Sequence, residues 1–224
     1  MLKQTTTATL LIVLASALPA TLLAADNRIS ADIESMDVMH NGQTVTIQRG
    51  HDRDAILPAM FQKTDRGCPP FCVQPIVALP GVGTIGELEM LDYLNRKSKG
   101  DDSILVVDSR APDWVMRGTI PGAMNIPWNK ISSDAAGTFE TPEQADSFRQ
   151  ILADEFDGRF DAEKNAWDFT SAKTLILFCN GIWCGQSTEN IKTLVGLGYP
   201  VHKLKWYRGG MQDWVSVGLT TVKP

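Results

Sequence analysis

TLILFCNGIWCGQSTENIKTLVGLGY, residues 174–199, is the stretch of sequence that decides the fold. Its first five residues form an apolar, β-favouring run that predicts a buried strand. Cys179 follows at the carboxyl end of that strand, and after a loop of small residues a helix is predicted to start near Ser187. Loop N–H groups and a helix N-terminus both favour negative charge, so a thiol at this position ionises more easily. The stretch therefore predicts a cysteine nucleophile in an anion-binding loop.

The composition is that of an ordinary globular protein. The chain has 224 residues, of which 43% are hydrophobic and 21% charged, and its formal net charge is -5. This suits one well-packed domain with an extension. The mild acidity, with no Lys/Arg-rich run, argues against a nucleic-acid partner. No cofactor or metal is expected.

The first 25 residues have the pattern of a secretory signal peptide. Lys3 is followed by an apolar run over residues 8–23 and then by small residues, which predicts cleavage near Ala25. The alternative is an uncleaved anchor, but Pro19 and the hydroxyl residues make this run a poor spanning helix. The mature protein is therefore expected to be periplasmic or secreted, without a stable membrane anchor.

Residues 26–80 read as an N-terminal extension, either a small subdomain or a segment that wraps the domain after it. Alternating residues flank Asn41-Gly42, which is a strong signal for a β-hairpin. The segment 51–67 is polar and weakly patterned, and no structure is assigned to it. The extension is too short to bury much core alone.

Cys68 and Cys72 bracket two prolines in this extension. A local disulfide is expected, because exported thiols tend to pair and the prolines restrict the loop. A redox relay to the cysteines of the 174–199 stretch remains open as an alternative. A zinc site that combines this pair with His40 or His51 is a weaker one.

From residue 81 to residue 224 helices and strands alternate. Thr84 with Glu87 forms a capping box, which predicts a helix. Its apolar stripe consists of Ile85, Leu88, Leu91 and Leu94. A buried strand is predicted at 103–108, a short strand at 123–126, and a loop at 159–173 with Trp167 and Phe169 as anchors. A further strand is predicted at 201–207, followed by a sharp turn at Gly209-Gly210 and a short final helix.

A second helix is predicted to start at Thr141, with Pro142 in its first turn and Gln144 completing a capping box. Its apolar face consists of Ala145, Phe148, Ile151, Leu152 and Phe156. Strands that alternate with helices imply a parallel sheet covered on both faces, the α/β class. Ligands of such sheets bind beyond the carboxyl ends of the strands, where Asp108, Arg110 and Cys179 all lie.

Three passages together resemble the rhodanese-like domain family: VVDSRAPDWVMRGTIPGAMNIP, LILFCNGIWCGQS, and LGYPVHKLKWYRGGMQDW. The resemblance covers roughly residues 84–221 and leaves the N-terminal extension out. It implies an α/β sulfurtransferase domain in which the loop cysteine takes sulfane sulfur as a persulfide and passes it to a thiol acceptor. The implied donors are a small anion such as thiosulfate, a polysulfide, or a protein persulfide.

The cysteine loop departs from the family pattern in length, charge and cysteine content. Counted back from Ser187 it is longer than six residues, and Gln186 stands where a basic residue is common. A second cysteine, Cys184, lies inside it, and Thr119 replaces a common His. Because the loop carries no formal charge, thiosulfate is not the evident donor. Arg110, Arg117 and Arg208 can supply charge from neighbouring segments.

The candidate catalytic residues are Cys179, the predicted nucleophile, and Cys184. Cys184 can be a resolving cysteine, the sulfur carrier itself, or half of a structural disulfide. Gly181 and Gly185 let loop N–H groups turn inward, and Trp183 is predicted to form a pocket wall. The full set of candidate substrate-binding residues is Asp108, Arg110, Asn180, Gly181, Trp183, Gly185, Gln186, Ser187 and Arg208. Trp114, Trp128 and Trp206 are further candidates for the mouth of the crevice.

The leading hypothesis is an exported single-domain sulfurtransferase with Cys179 as the sulfur carrier. Two alternatives remain open. One is a thiol–disulfide redox protein that uses Cys179 and Cys184, and the other is a non-catalytic binding module. A phosphatase-like use of the loop is disfavoured, because the loop has no Arg for phosphoryl oxygens.

Overall fold

The computed structural model describes residues 27–132 and 141–224. The predicted signal peptide and its cleavage site lie outside these residues. The strands are β1 (Ser35–His40), β2 (Gln43–Gln48), β3 (Gly83–Ile85), β4 (Ile104–Asp108), β5 (Met124–Asn125), β6 (Arg159–Asp161), β7 (Ala166–Asp168), β8 (Thr174–Phe178) and β9 (Leu204–Tyr207). The helices are α1 (Ala59–Gln62), α2 (Glu87–Ser98), α3 (Pro112–Val115), α4 (Pro142–Gln150), α5 (Gln186–Gly196) and α6 (Gly210–Ser216).

A five-stranded parallel sheet forms the centre of the protein, with the strand order β3-β9-β8-β4-β5. Along β4, Ile104 and Val106 face one core and Leu105 and Val107 face the other, as period-2 alternation requires. The hairpin, α2 and α6 cover the first face, and α4 and α5 cover the second. The predicted α/β fold is therefore confirmed, and β8 lies in the middle of the sheet.

The predicted N-terminal hairpin is present as β1 and β2. Asn41 and Gly42 both have positive φ, 49° and 76°, which suits the tight turn that joins twisted strands. Val38 and Ile47 are buried against α2. The extension therefore shares the core of the larger domain and wraps it.

The start of α2 differs from the prediction. Thr84 lies in β3 opposite Trp206 and does not cap the helix. The N-cap is Gly86, whose N–H donates to Glu89 Oε2 at 3.0 Å. Met90 is buried and Leu88 is 50% exposed, so the buried stripe of α2 also differs from the predicted one. A long-range strand pairing has overridden the local capping pattern.

Other predicted elements differ at their boundaries. The strand predicted at 201–207 is a 3₁₀ turn, Val201–Lys203, followed by β9. The loop predicted at 159–173 contains the antiparallel pair β6–β7, with Trp167 stacked on Phe169. The strand predicted at 103–108 begins at 104, and the one predicted at 123–126 contains only the two residues of β5.

The helix predicted at Thr141 is α4, and one π-helical turn, Ile151–Glu155, continues it. The Thr141 side chain caps it by accepting from the Gln144 N–H at 3.4 Å. The predicted apolar face packs on the sheet. Within the described residues no helix is both long and apolar enough to cross a membrane.

Candidate active site

Cys179 follows the last residue of β8 directly, and it is 2% exposed. Its carbonyl accepts the N–H of Met211 at 3.0 Å, and the carbonyl of Asn180 accepts the N–H of Gln212 at 2.9 Å. The N-terminus of α6 therefore closes onto the end of β8. These backbone hydrogen bonds fix the point at which the chain leaves the sheet and the loop of residues 179–185 begins.

Cys179 and Cys184 are joined by a disulfide across this loop, with their Cα atoms 6.1 Å apart. The N–H of Cys184 donates to the Gly181 carbonyl at 2.9 Å, which folds the loop back on itself. Cys184 is 7% exposed. The two sulfurs thus occupy one covered site at the carboxyl edge of the sheet, beside the N-terminus of α5.

Gln186, the first residue of α5, places a polar side chain against this disulfide. Its Oε1 lies 3.2 Å from Cys179 Sγ and 3.6 Å from Cys184 Sγ. A disulfide sulfur carries no proton, so these contacts become hydrogen bonds only in the reduced protein, with a thiol as donor. The side-chain amide can also present its N–H₂ to an anionic sulfur, since its two ends are interchangeable by a flip.

Asp108 and Arg110 form a buried ion pair at the end of β4. The Arg110 guanidinium donates to both carboxylate oxygens of Asp108, at 2.9 and 2.6 Å, and to the Gly118 carbonyl at 2.8 Å. Thr119 adds a hydroxyl donor to Asp108 at 2.6 Å. Arg110 is 1% exposed, so a surface ion pair is excluded, and its contacts are with Asp108 and not with the cysteine loop.

The other two predicted cations are also engaged elsewhere. Arg208 donates to the carbonyls of Gln74 at 2.8 Å and Pro75 at 2.9 Å. The guanidinium of Arg117 lies 5.6 Å from the Trp114 ring. Gln186, whose side chain contacts the two sulfurs, is uncharged, while Arg66 brings a cation onto the loop at the Trp183 ring.

Trp183, predicted as a pocket wall, is buried and covered by the extension. The Arg66 guanidinium lies 3.7 Å above its ring, and the Phe71 ring meets it edge-on at 5.6 Å. Its indole N–H donates to Gln212 Oε1, and Trp114 lies 6.4 Å away. A cleft of about 370 Å³ opens beside it, lined by Lys63, Arg66, Phe71, Val73, Ile182, Trp183 and Asp213 among others.

The remaining predicted loop residues are placed as follows. Asn180 is buried, and its Oδ1 has no hydrogen-bond partner among the described residues. Gly181 packs against Gln212. The Ser187 hydroxyl accepts the indole N–H of Trp206 at 3.1 Å, so both residues belong to the core side of the site.

Gln74 lies on the cysteine loop, and sequence reasoning missed it. Its N–H donates to the Ile182 carbonyl at 2.8 Å, and its side chain accepts from the Thr188 hydroxyl at 3.3 Å and contacts Gly185. A single polar residue in an unpatterned segment carries no sequence signal for such a contact. The site is therefore built from two parts of the chain more than 100 residues apart.

Cys68 and Cys72 are joined by the expected local disulfide, with Cα atoms 4.6 Å apart. Because both sulfurs are bonded to each other, they are not zinc ligands in this structure. His40 uses Nδ1 to accept the Gly122 N–H at 3.1 Å. The zinc site considered from the sequence is therefore not formed.

Acidic groups surround the hydroxyl of Tyr207 at the far side of α6. Tyr207 donates to Glu87 Oε1 at 2.9 Å. Burial, followed by the negative charge of Glu87, raises the pKa of Tyr207 far above its ordinary value. Burial and Glu87 likewise raise the pKa of Asp213, against the opposing effect of Arg208. The hydrogen bond between Tyr207 and Glu87 joins β9 to the start of α2.

Several solved structures resemble this chain at low identity. The human single-domain sulfurtransferase TSTD1 is 19% identical, with a TM-score of 0.38, over 60% of this chain and 96% of that one. A rhodanese from E. coli is 19% identical, with a TM-score of 0.31, over 54% and 99%. A protein of unknown function from Rhodopseudomonas palustris, described as a possible tyrosine phosphatase, is 18% identical, with a TM-score of 0.42, over 65% and 88%.

No curated protein matches the chain. A family model does match, and its description is "Rhodanese-like domain". The match covers residues 90–217, which is more than half of the chain and includes β4, β8, the cysteine loop and α6. The chain therefore belongs to the rhodanese-like domain family.

Proposed function

We propose that this protein is a sulfurtransferase that carries sulfane sulfur as a persulfide on Cys179. The observation that carries the proposal is the position of Cys179, at the carboxyl end of the central strand and within one loop of the N-terminus of α5. Thiolate and persulfide are both anions, which helix N-termini stabilise. Membership of the rhodanese-like family supports the same chemistry.

Sulfur transfer starts from the reduced loop. The Cys179 thiolate attacks the sulfane sulfur of a donor, the donor's S–S bond breaks, and its leaving group departs with the bonding pair. A persulfide now stands on Cys179, with the amide of Gln186 within hydrogen-bonding reach. An acceptor thiolate then attacks the outer sulfur, which releases the Cys179 thiolate and completes the cycle.

Cys184 is proposed as a resolving cysteine. Its thiolate can attack the inner sulfur of the persulfide, so that hydrosulfide leaves and the disulfide between Cys179 and Cys184 forms. A dithiol partner must then reduce this disulfide and becomes oxidised itself. Sulfur leaves as a thiol-bound persulfide in the first route and as sulfide in the second.

We propose a persulfide or polysulfide, free or protein-bound, as the donor in preference to thiosulfate. Arg110 is bound to Asp108, and Arg208 is bound to backbone carbonyls. Gln186 is neutral at the position closest to the sulfurs. Next to the sulfurs, a doubly charged donor is therefore offered few charge-assisted hydrogen bonds, because Arg66, a cation that does contact the loop, lies over the Trp183 ring.

Intact-mass analysis tests the proposal. The fully reduced protein is treated with glutathione persulfide, with polysulfide and with thiosulfate, and one added sulfur atom on the loop peptide is expected from the first two. Cys179→Ser should abolish the adduct. Cys184→Ser should retain it and prolong its lifetime, because resolution is blocked. Absence of an adduct from every donor overturns the proposal.

The Cys179–Cys184 disulfide also favours a second candidate, a thiol–disulfide redox protein. In that case both cysteines take part in every cycle, so Cys184→Ser should abolish exchange as completely as Cys179→Ser. Measurement of exchange with a dithiol partner separates the two candidates. Exchange that survives in the Cys184→Ser variant excludes the redox function.

We further propose that the protein acts in an oxidising compartment such as the periplasm. The signal-peptide pattern at the N-terminus and the two close cysteine pairs support this, since disulfides persist mainly outside the cytosol. Mass spectrometry of the protein recovered from cell fractions tests it, with loss of about the first 25 residues expected.

A further inference from the structure

We propose that residues 72–75, which we name the strap, form a lid over the cysteine loop that makes the site selective for the size of its thiol partner. The strap lies in the N-terminal extension, outside the residues matched by the family model. Its contacts run to the loop that carries Cys179 and Cys184. The proposal concerns access to these sulfurs, so it deepens the proposed function but can be measured without sulfur transfer.

Gln74 fastens the strap to the loop. Its N–H donates to the Ile182 carbonyl at 2.8 Å, in the middle of the loop. Its side chain bridges onward, from the Cys72 carbonyl at 2.9 Å to the Thr188 hydroxyl in the first turn of α5 at 3.3 Å. One residue thus links the strap to the middle of the cysteine loop and to the first turn of α5.

Arg208 holds the strap from the other side. It donates to two adjacent strap carbonyls, those of Gln74 and Pro75, at 2.8 and 2.9 Å. Arg208 follows β9 directly and precedes the Gly209-Gly210 turn, so it is positioned by the rigid sheet. These hydrogen bonds from a charged donor order the strap, but Arg208 is only partly buried, so they can break while the sheet stays folded.

The strap is held by polar contacts more than by apolar burial. Val73 is 75% exposed, and Ile76, just past the strap, is 68% exposed. Segments with few buried apolar contacts open locally at a small fraction of the global unfolding free energy. The strap can therefore leave the loop while the sheet and its two cores stay folded.

The segment before the strap limits how far it can move. The disulfide between Cys68 and Cys72 closes a short loop, and Phe71 inside that loop packs against Trp183. Cys68 itself is exposed, in contrast to the covered sulfurs of Cys179 and Cys184. In this proposal a small phosphine reaches the covered Cys179–Cys184 disulfide past the closed strap, whereas a protein dithiol must displace the strap first.

The test compares two reductants of different size on the oxidised protein. Initial rates of opening of the Cys179–Cys184 disulfide are measured with tris(2-carboxyethyl)phosphine and with reduced thioredoxin, by acid quench, alkylation and peptide mass spectrometry. The ratio of the thioredoxin rate to the phosphine rate reports access, because the intrinsic reactivity of the disulfide cancels. Gln74→Ala and Arg208→Gln should each raise this ratio by about tenfold. This corresponds to a loss of about 1.4 kcal/mol in the free energy that keeps the strap closed.

Gln62→Ala is the matched control, since Gln62 lies in the same extension but bonds the Leu57 carbonyl and not the loop. Its ratio should equal that of the wild type. An unchanged ratio in both strap variants overturns the lid and leaves the persulfide proposal intact. Conversely, absence of a persulfide adduct overturns the proposed function and leaves the lid standing.

Hydrogen exchange on the unmodified protein gives a second test that needs no variant. The Gln74 amide should exchange through local opening, much faster than the amides of β8. If the two exchange at the same rate, the strap opens only on global unfolding and the lid is excluded.

Discussion

Gly210 lies against the carbonyl oxygen of Cys179, so closely that any Cβ atom at position 210 would collide with that oxygen. Its φ is also positive, at +57°, a conformation that other residues adopt at a cost. The contact exists because the N-terminus of α6 donates to the carbonyls of Cys179 and Asn180. The late Gly-Gly of the sequence thus sets the geometry of the cysteine loop from 30 residues away along the chain.

Gly210→Ala should therefore destabilise the protein and disturb the loop. We expect a loss of ~1–3 kcal/mol in the free energy of unfolding, measured by urea denaturation. Gly196→Ala is the matched control, because Gly196 is helical and has open space around its Cβ position. That variant should gain ~0.5–1 kcal/mol. Equal effects of the two substitutions would contradict the role assigned to Gly210.

Because Asp108 and Arg110 form a buried ion pair, removing one partner should strongly lower the free energy of unfolding. Arg110→Leu leaves the Asp108 carboxylate buried without its counter-ion, and we expect it to cost about 3–5 kcal/mol of stability. The double variant Asp108→Asn with Arg110→Leu should lose less stability than the sum of the two single variants, because each single variant leaves one buried charge unpaired and the double variant leaves none. Chemical denaturation of the four proteins measures the coupling. Additive losses would show that the two groups act independently.

The exposed pair between Arg96 and Asp101 provides the contrast. It is also a close ion pair, at 2.8 Å, but its two side chains are 48% and 29% exposed. Arg96→Leu should change stability little, since exposed ion pairs are screened by solvent. A loss comparable to that of Arg110→Leu would mean that burial is not the cause.

Some of this structure follows from local sequence. The Asn41-Gly42 turn, the Thr141 cap and the strand before Cys179 depend on neighbouring residues, and all three are confirmed. Thr84 fails as a cap, because its pairing with Trp206 in β9 is a contact across more than 100 residues. No local pattern contains that information.

The candidate site divides in the same way. Cys179 and Cys184 are visible in the sequence because their residue types carry chemistry. From the sequence, Arg208 is a charge that can face an anion, but its partners are carbonyls of the strap. The sequence gives no signal for Gln74, since its position on the loop results from how the extension wraps the domain.

His40 predicts a pH dependence of stability. Burial, followed by the charge of Lys97, lowers the pKa of His40 below its ordinary value, and its Nδ1 must stay unprotonated to accept the Gly122 N–H. The folded protein therefore binds fewer protons at this site than the unfolded chain, so the contribution is fully present above about pH 6.5 and is lost as the pH falls through the lowered pKa. Unfolding free energies between pH 8 and pH 5 should fall less steeply for His40→Gln than for the wild type. Parallel pH profiles would contradict this prediction.

Removal of the disulfide between Cys68 and Cys72 should loosen the strap. For a loop of five residues, chain entropy predicts that Cys68→Ser with Cys72→Ser costs about 2 kcal/mol of stability. Beyond that loss, the amides of residues 72–74 and of the cysteine loop should exchange faster, while those of β8 keep their relative protection. Peptide-resolved hydrogen exchange measures this. A uniform change across all peptides would mean that the disulfide stabilises the fold without acting on the strap.

The neutral side chain of Gln186 predicts how donor preference can be changed. Gln186→Arg places a cation next to Cys179 Sγ, where the present Oε1 lies at 3.2 Å, and should raise kcat/KM for thiosulfate by about tenfold or more. Gln186→Glu should lower it, since the added charge repels both the thiolate and the donor. Gln150→Arg adds the same charge at an exposed position on α4 and should have no effect. Because the gain is electrostatic, it should shrink as ionic strength rises. A gain that is unaffected by salt, or one matched by Gln150→Arg, would show that charge at the loop does not set the preference for the donor.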